Sequence, residues 1–153
     1  IANTLEEALA MSDKVTEITH NHPEGMKGAR ATVHAIFLAR QKVSQDKIRA
    51  EIQKIYGYDL SKSVDEIRVD YDFDATCQGT VPQALTCALE ATGFEDAIRN
   101  AVSIGGDSDT VAAIAGGLAE ALFDIDDALV EKAKCRLKRE MLVIIDDFYA
   151  LTR

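Results

Sequence analysis

Apolar residues in this chain recur mostly at helical spacing. Ile48, Ile52, Ile55 and Tyr56 form a stripe along residues 45–56, with Ser44 placed to cap the segment and Gly57 to stop it. Phe94, Ala97, Ile98, Ala101 and Val102 make one buried face of another helix. Residues 27–41 carry Ala31, Ile36, Phe37, Leu38 and Ala39 among good helix formers. Further helices are expected over residues 81–91 and along the Ala-rich run of residues 111–122. A last one is expected over residues 127–151, where Leu129, Ala133, Leu137, Met141, Leu142, Ile144, Ile145 and Phe148 face one way. Lys132, Lys134, Arg136, Lys138 and Arg139 supply its solvated side.

Three sequences match the capping box, in which a hydroxyl and a carboxylate each satisfy an orphan backbone N–H: Thr4 with Glu7, Ser63 with Glu66 and Thr92 with Glu95. Strand signals are scarce. Arg68-Val69-Asp70-Tyr71-Asp72-Phe73 alternates briefly but has no partner, and reads as an extended loop. No linker or low-complexity tract interrupts the chain, so the expectation is a single all-α domain over residues 1–153.

At 153 residues the chain can bury roughly 68–70% of the surface its unfolded form exposes. The formal net charge of −9 disfavours nucleic acid as a partner, because phosphates are repelled rather than steered in. An anionic ligand would need a local reversal of sign, from a bound divalent cation or a helix N-terminus. The three cysteines, Cys77, Cys87 and Cys135, show no metal-binding spacing and read as small apolar fillers in a cytoplasmic protein. No apolar run is long enough for a membrane span and no secretory leader is visible. The first residue is Ile1 rather than Met, which reads as a chain trimmed or cut from something longer.

The densest unusual stretch is Gly105-Gly106-Asp107-Ser108-Asp109-Thr110, followed by the Ala-rich run. Two glycines permit a tight turn with exposed N–H groups. Oxygen ligands at these spacings, on a turn entering a helix, can converge on one hard cation such as Mg²⁺ or Mn²⁺. The alternative is that Asp107 or Asp109 simply N-caps the helix. A third reading, the D-x-D-x-T nucleophile of haloacid-dehalogenase-like phosphatases, needs a buried strand ending at the first Asp, and Gly105-Gly106 breaks that run.

The block Gly-Gly-Asp-Ser-Asp-Thr-Val-Ala-Ala-Ile-Ala-Gly-Gly, residues 105–117, resembles the C-terminal hallmark of the ADP-ribosylglycohydrolase family, which includes the dinitrogenase reductase-activating glycohydrolases. Thr19-His20-Asn21-His22-Pro23-Glu24-Gly25 is similar to that family's Thr-His-x-x-Pro segment, and Cys77-Gln78-Gly79-Thr80-Val81-Pro82-Gln83-Ala84 to its Gly-x-Val-Pro-x-Ala segment. The resemblance implies an all-α orthogonal helical bundle with two divalent metals at its centre and an ADP-ribose group bound across them. It makes Asp107, Asp109 and Thr110 metal ligands, and Gly105, Gly106 and Ser108 the lining of the ribose and phosphate side. His20 would face the diphosphate, with a structural role as its alternative. His22 is a weaker candidate. Gln78 and Gly79 would reach the ligand from a loop or else serve in a turn and cap before the next helix.

The departure from the pattern is equally informative. The family's other metal ligands, a Thr-Asp-Asp cluster, and its acidic catalytic residue lie upstream of the His segment, and no Thr-Asp-Asp occurs here. The expectation is therefore the C-terminal part of a hydrolase that removes ADP-ribose from a protein or small-molecule acceptor, without a catalytic residue of its own. A missing N-terminal segment would uncover the Ala-rich face of residues 111–122 and the stripe bearing Ile36 and Phe37, and so favour self-association. The rival readings are a non-catalytic module binding ADP-ribose or a nucleotide, and a helical interaction protein in which the acidic turn is only a cap.

Overall fold

The computed structural model describes residues 2–152, and these form nine α-helices with no strand among them. The order is α1 (Leu5–Thr16), α2 (Pro23–Arg40), α3 (Gln45–Tyr56), α4 (Val64–Asp70), α5 (Cys77–Glu90), α6 (Phe94–Ser103), α7 (Ser108–Leu122), α8 (Asp127–Lys134) and α9 (Arg139–Thr152). They divide into two compact units, residues 2–124 and residues 125–152. The all-α, orthogonal-bundle expectation agrees with the helices found, none of which is long and apolar enough to cross a membrane among the described residues.

Helix starts have local causes. The capping boxes at Thr4 and Ser63 are both formed: Glu7 N–H donates to Thr4 Oγ1 at 3.2 Å, and Ser63 N–H donates to the Glu66 carboxylate at 2.7 Å. The third box is not. Helix α6 is capped at Gly93, and Thr92 gives both its N–H and its hydroxyl to Asp96, at 2.9 and 3.0 Å, rather than engaging Glu95. Glu95 instead binds Arg99 one turn on. Gly57 ends α3 in the left-handed conformation, φ 67°, which costs glycine nothing.

In the larger unit the core is organised around α5. Val81, Ala84, Leu85, Cys87, Ala88 and Leu89 are all buried on it, so α5 is apolar nearly all round, the signature of a helix with neighbours on every side. It packs against α2, α3, α4, α6 and α7. Pro82 sits inside it and cannot donate to the carbonyl of Gln78, so the ladder is broken at that point. Helix α1 lies on α2, pinned by Arg30 donating to both carboxylate oxygens of Asp13 at 2.7 and 2.6 Å.

Several boundaries differ from the expectation, each for a physical reason. Helix α2 begins at Pro23 rather than residue 27, because His22 caps it through Nδ1 and Pro23 supplies a preset φ in the first turn. Helix α5 begins at Cys77 rather than residue 81, capped by the Thr76 hydroxyl, so Gln78 and Gly79 belong to its first turn and not to a loop. Residues 68–70 close α4, where Arg68 bonds Asp65 and reaches the Ser103 hydroxyl at 2.7 Å; the chain is irregular only from Tyr71. The expected last helix is two helices, interrupted at residues 135–138. Like charges one turn apart, Lys132 with Arg136 and Lys134 with Lys138, disfavour a continuous helix there.

Of the faces expected to be left uncovered, Val111, Ala115, Leu118 and Ala119 of α7 are fully buried, whereas Ile36, Phe37, Ala112 and Ile114 are half-buried and Ala113 is exposed. Larger exposed apolar side chains include Met11, Val15 and Ile18 on and after α1. The filler reading holds for Cys87, which is buried, whereas Cys135 is exposed.

Two stability predictions follow from this packing. Ile52, with no exposed surface, replaced by Ala should cost about 2–5 kcal/mol, while removing the Ser63 cap as Ser63→Ala should cost about 1 kcal/mol; urea unfolding of both variants measures the difference. His34, only 3% exposed with Nδ1 3.2 Å from the Tyr56 hydroxyl, has its pKa lowered by burial, which Glu51 partly offsets. The unfolded chain, with a histidine pKa of about 6.5, then takes up a proton the native state refuses. Stability should be full above that pH and fall as the pH drops toward the depressed native value. The urea midpoint at about pH 5.5 should lie below that at about pH 7.5, and His34→Gln should flatten the difference.

Candidate functional site

Each of the three sequence stretches singled out above opens a helix. His22, Thr76 and Asp107 occupy the N-cap positions of α2, α5 and α7. The first two are capped in the ordinary way: Glu24 N–H donates to His22 Nδ1 at 3.3 Å, and Gly79 N–H donates to Thr76 Oγ1 at 3.1 Å. His22 is thereby committed to the helix.

These two helix ends meet at a cavity of about 400 Å³ whose wall includes His20, His22, Glu24, Thr76, Cys77 and Gln78. The fold thus brings His20 and Gln78, more than fifty positions apart in sequence, onto one surface. His20 is exposed, its Nδ1 2.8 Å from the Thr19 hydroxyl. It also lines a larger, mostly apolar cavity of about 630 Å³ between α1 and α2, whose wall includes Cys77 and Val81 of α5 and Ile114 of α7. None of residues 105–110 contributes to the wall of either cavity.

At α7 the arrangement is different. Gly105 and Gly106 are both left-handed, with φ 79° and 64°, a conformation open to glycine and costly to other residues. Asp107 follows at the N-cap position with φ −79° and ψ 65°, yet its side chain makes no capping hydrogen bond. Its carboxyl lies instead within hydrogen-bonding reach of Asp109. That contact, with the backbone N–H groups of Thr110 and of Asp109 itself, holds the Asp109 carboxyl below the usual carboxylate range. Ser108, Asp109 and Thr110 form the first turn of the helix. Among the described residues neither Asp107 nor Asp109 forms an ion pair with a lysine or arginine. Nor does any group of three or more His, Cys, Asp or Glu side chains there gather about a metal position. Asp107, Asp109 and Thr110, the residues the resemblance makes metal ligands, thus bring two carboxyl groups and a hydroxyl to the start of α7, oxygen donors of the kind hard divalent cations take.

The sequence reading missed two residues that tie these pieces together. Tyr71 lies with its ring edge on Gly106: a Cβ there would fall 2.6 Å from Tyr71 Cε1 and 3.2 Å from the carbonyl oxygen of Asp72. Asp74 is seated on Gly79, where a Cβ would collide with its carboxylate, so the glycine at position 79 makes room for Asp74. The Thr76 hydroxyl and N–H, the latter at 2.7 Å, hold the Asp74 carboxyl below its ordinary range, and Thr80 Oγ1 donates to the Asp74 carbonyl at 2.8 Å. The Tyr71 hydroxyl is buried without a hydrogen-bond partner at normal length, and burial raises its pKa. An Asp followed two residues later by Thr at a helix start is a local turn signal that could have flagged Asp74. Nothing local marks Tyr71.

No curated protein and no solved structure matches this chain significantly. The model of the ADP-ribosylglycohydrolase family matches residues 1–153, and with the all-helical fold and the three helix-opening motifs in place, the chain belongs to that family.

Proposed function

We propose that this chain contributes to a metal-dependent hydrolase that releases ADP-ribose from a modified protein side chain or an ADP-ribose-containing small molecule, and that Asp107, Asp109 and Thr110 hold Mg²⁺ or Mn²⁺. The observation that carries the reading is the Asp107 carboxyl, which occupies a helix N-cap position but forgoes the capping bond and lies beside Asp109 with no basic partner. An ordinary N-cap side chain would accept from a backbone N–H of the first turn, which Asp107 does not. With no lysine or arginine beside them, the two carboxyl groups leave oxygen donors open to a hard cation.

A divalent cation bound there would supply positive charge to orient ribose oxygens and offset charge that develops as the glycosidic bond breaks. The chain's own residues do the rest of the binding. The left-handed Gly105-Gly106 turn lets a ligand approach the backbone closely, and Ser108 adds a hydroxyl at the helix start. His20 and Gln78 face the cavity between the α2 and α5 N-termini, whose dipoles favour an anionic group such as a diphosphate. Gly79 supports this end indirectly by admitting Asp74. Three unpaired cysteines suit a reducing compartment such as the cytoplasm.

These residues supply neither the second ligand cluster of the family pattern nor an acidic group to handle the water, so we assign them binding without turnover. Calorimetric titration with Mn²⁺ should find a weak site, and Asp107→Asn and Asp109→Asn should each weaken it by at least about tenfold with the helix content unchanged. Retained affinity in both variants would sink the cation assignment. A second assay follows ADP-ribose release from a modified protein at saturating Mg²⁺ or Mn²⁺. No release is expected from this chain, and robust release abolished by Asp109→Ala would overturn the assignment of binding without turnover.

A further inference from the structure

Residues 71–74 cross between the two halves of the candidate site, and both of their contacts use a glycine. At one end the Tyr71 ring and the Asp72 carbonyl fill the space where Gly106 lacks a side chain; at the other the Asp74 carboxylate fills the space at Gly79. The segment is anchored before and after these contacts: Tyr71 N–H donates to the Ile67 carbonyl at 2.9 Å, closing α4, and the Asp74 carbonyl accepts from Thr80 at 2.8 Å.

A backbone with two successive left-handed glycines has the largest conformational freedom to lose on folding. Gly105 donates its N–H to the Val102 carbonyl at 3.3 Å but has nothing within 4 Å of its Cβ position, so the side-chain contact on the turn falls at Gly106. The restraint there is an aromatic ring, stiff and packed against the core, and the residue it leans on precedes Asp107 directly.

We propose that residues 71–74 act as a positioning strap, with Tyr71 holding the Gly105-Gly106 turn so that Asp107 is presented beside Asp109, and Asp74 holding the first turn of α5 so that Gln78 is presented to its cavity. The effect on Asp107 rests on the cation-binding reading above; the ordering of the turn does not. Because the Tyr71 hydroxyl makes no hydrogen bond of normal length, the ring does the positioning and the hydroxyl is dispensable.

The test compares the chain with Tyr71→Phe, Tyr71→Leu and Asp107→Asn by ¹⁵N relaxation and by Mn²⁺ titration. Backbone order parameters at Gly105 and Gly106 should be near about 0.85 in the parent and Tyr71→Phe, and fall below about 0.6 in Tyr71→Leu. Mn²⁺ affinity should follow the same ranking, lost by about tenfold in Tyr71→Leu and kept in Tyr71→Phe. A rigid turn in Tyr71→Leu overturns the strap. So does a loosened turn whose Mn²⁺ affinity is unchanged while Asp107→Asn abolishes binding, and so does loss of affinity in Tyr71→Phe. If the parent binds no Mn²⁺ the cation reading fails, and the order parameters alone decide the strap. Should Tyr71→Leu not fold, Asp74→Ala probes the other end, where the Gln78 and Gly79 amides must loosen; rigid amides there overturn the proposal.

Discussion

The close approach of the Tyr71 ring to Gly106 is the constraint on which the acidic turn depends. A side chain at 106 would meet the ring at 2.6 Å, so the loop after α4 can lie where it does only because that position is glycine. The same position must also turn left-handed, φ 64°. Sterics and backbone conformation therefore converge on one residue. Across the turn, α6 and α7 approach closely too: a Cβ at Gly116 would lie 3.1 Å from Ile98 Cδ1. Glycines in this unit are thus spent on contacts between elements as well as on turns, and the site inherits its shape from those contacts.

What could be read in the sequence and what could not divides along the range of the interaction. The Thr4 and Ser63 capping boxes involve residues three apart, and both are formed as expected. The α3 stripe and its Gly57 stop are equally local, and residues 45–56 are helical from end to end. Thr92 shows how narrow the margin is: Asp96, four residues on, competes with Glu95, three residues on, and takes both donors. The Tyr71 contact spans 35 positions, and nothing in the alternation of residues 68–73 announces it. Asp74 lies between, since its turn is local but its seat on Gly79 depends on α5 beginning at Cys77. Expecting α5 to start at residue 81 had removed Gln78 and Gly79 from the helix, and so from the dipole that gives that end its anion-attracting character.

Charge supplies the remaining logic. A chain of net charge −9 that handles an anionic ligand must separate regions of different local sign. The three motif helices do this at their N-termini, where the macrodipole places roughly half a positive charge. At α2 the cap is a histidine ring, and the first-turn acid Glu24 is paired with Lys27 at 3.4 Å, so much of the helix's positive end is left for a ligand. At α7 two acidic side chains without lysine or arginine partners sit at the same kind of helix end, and on the proposed reading a cation joins them. On the proposed reading one end meets an anion and the other a cation, and residues 71–74 run from the Gly106 turn to the first turn of α5, which shares its cavity with α2. A ligand bearing both a diphosphate and metal-coordinating hydroxyls is the kind of molecule such a pair of ends is suited to hold.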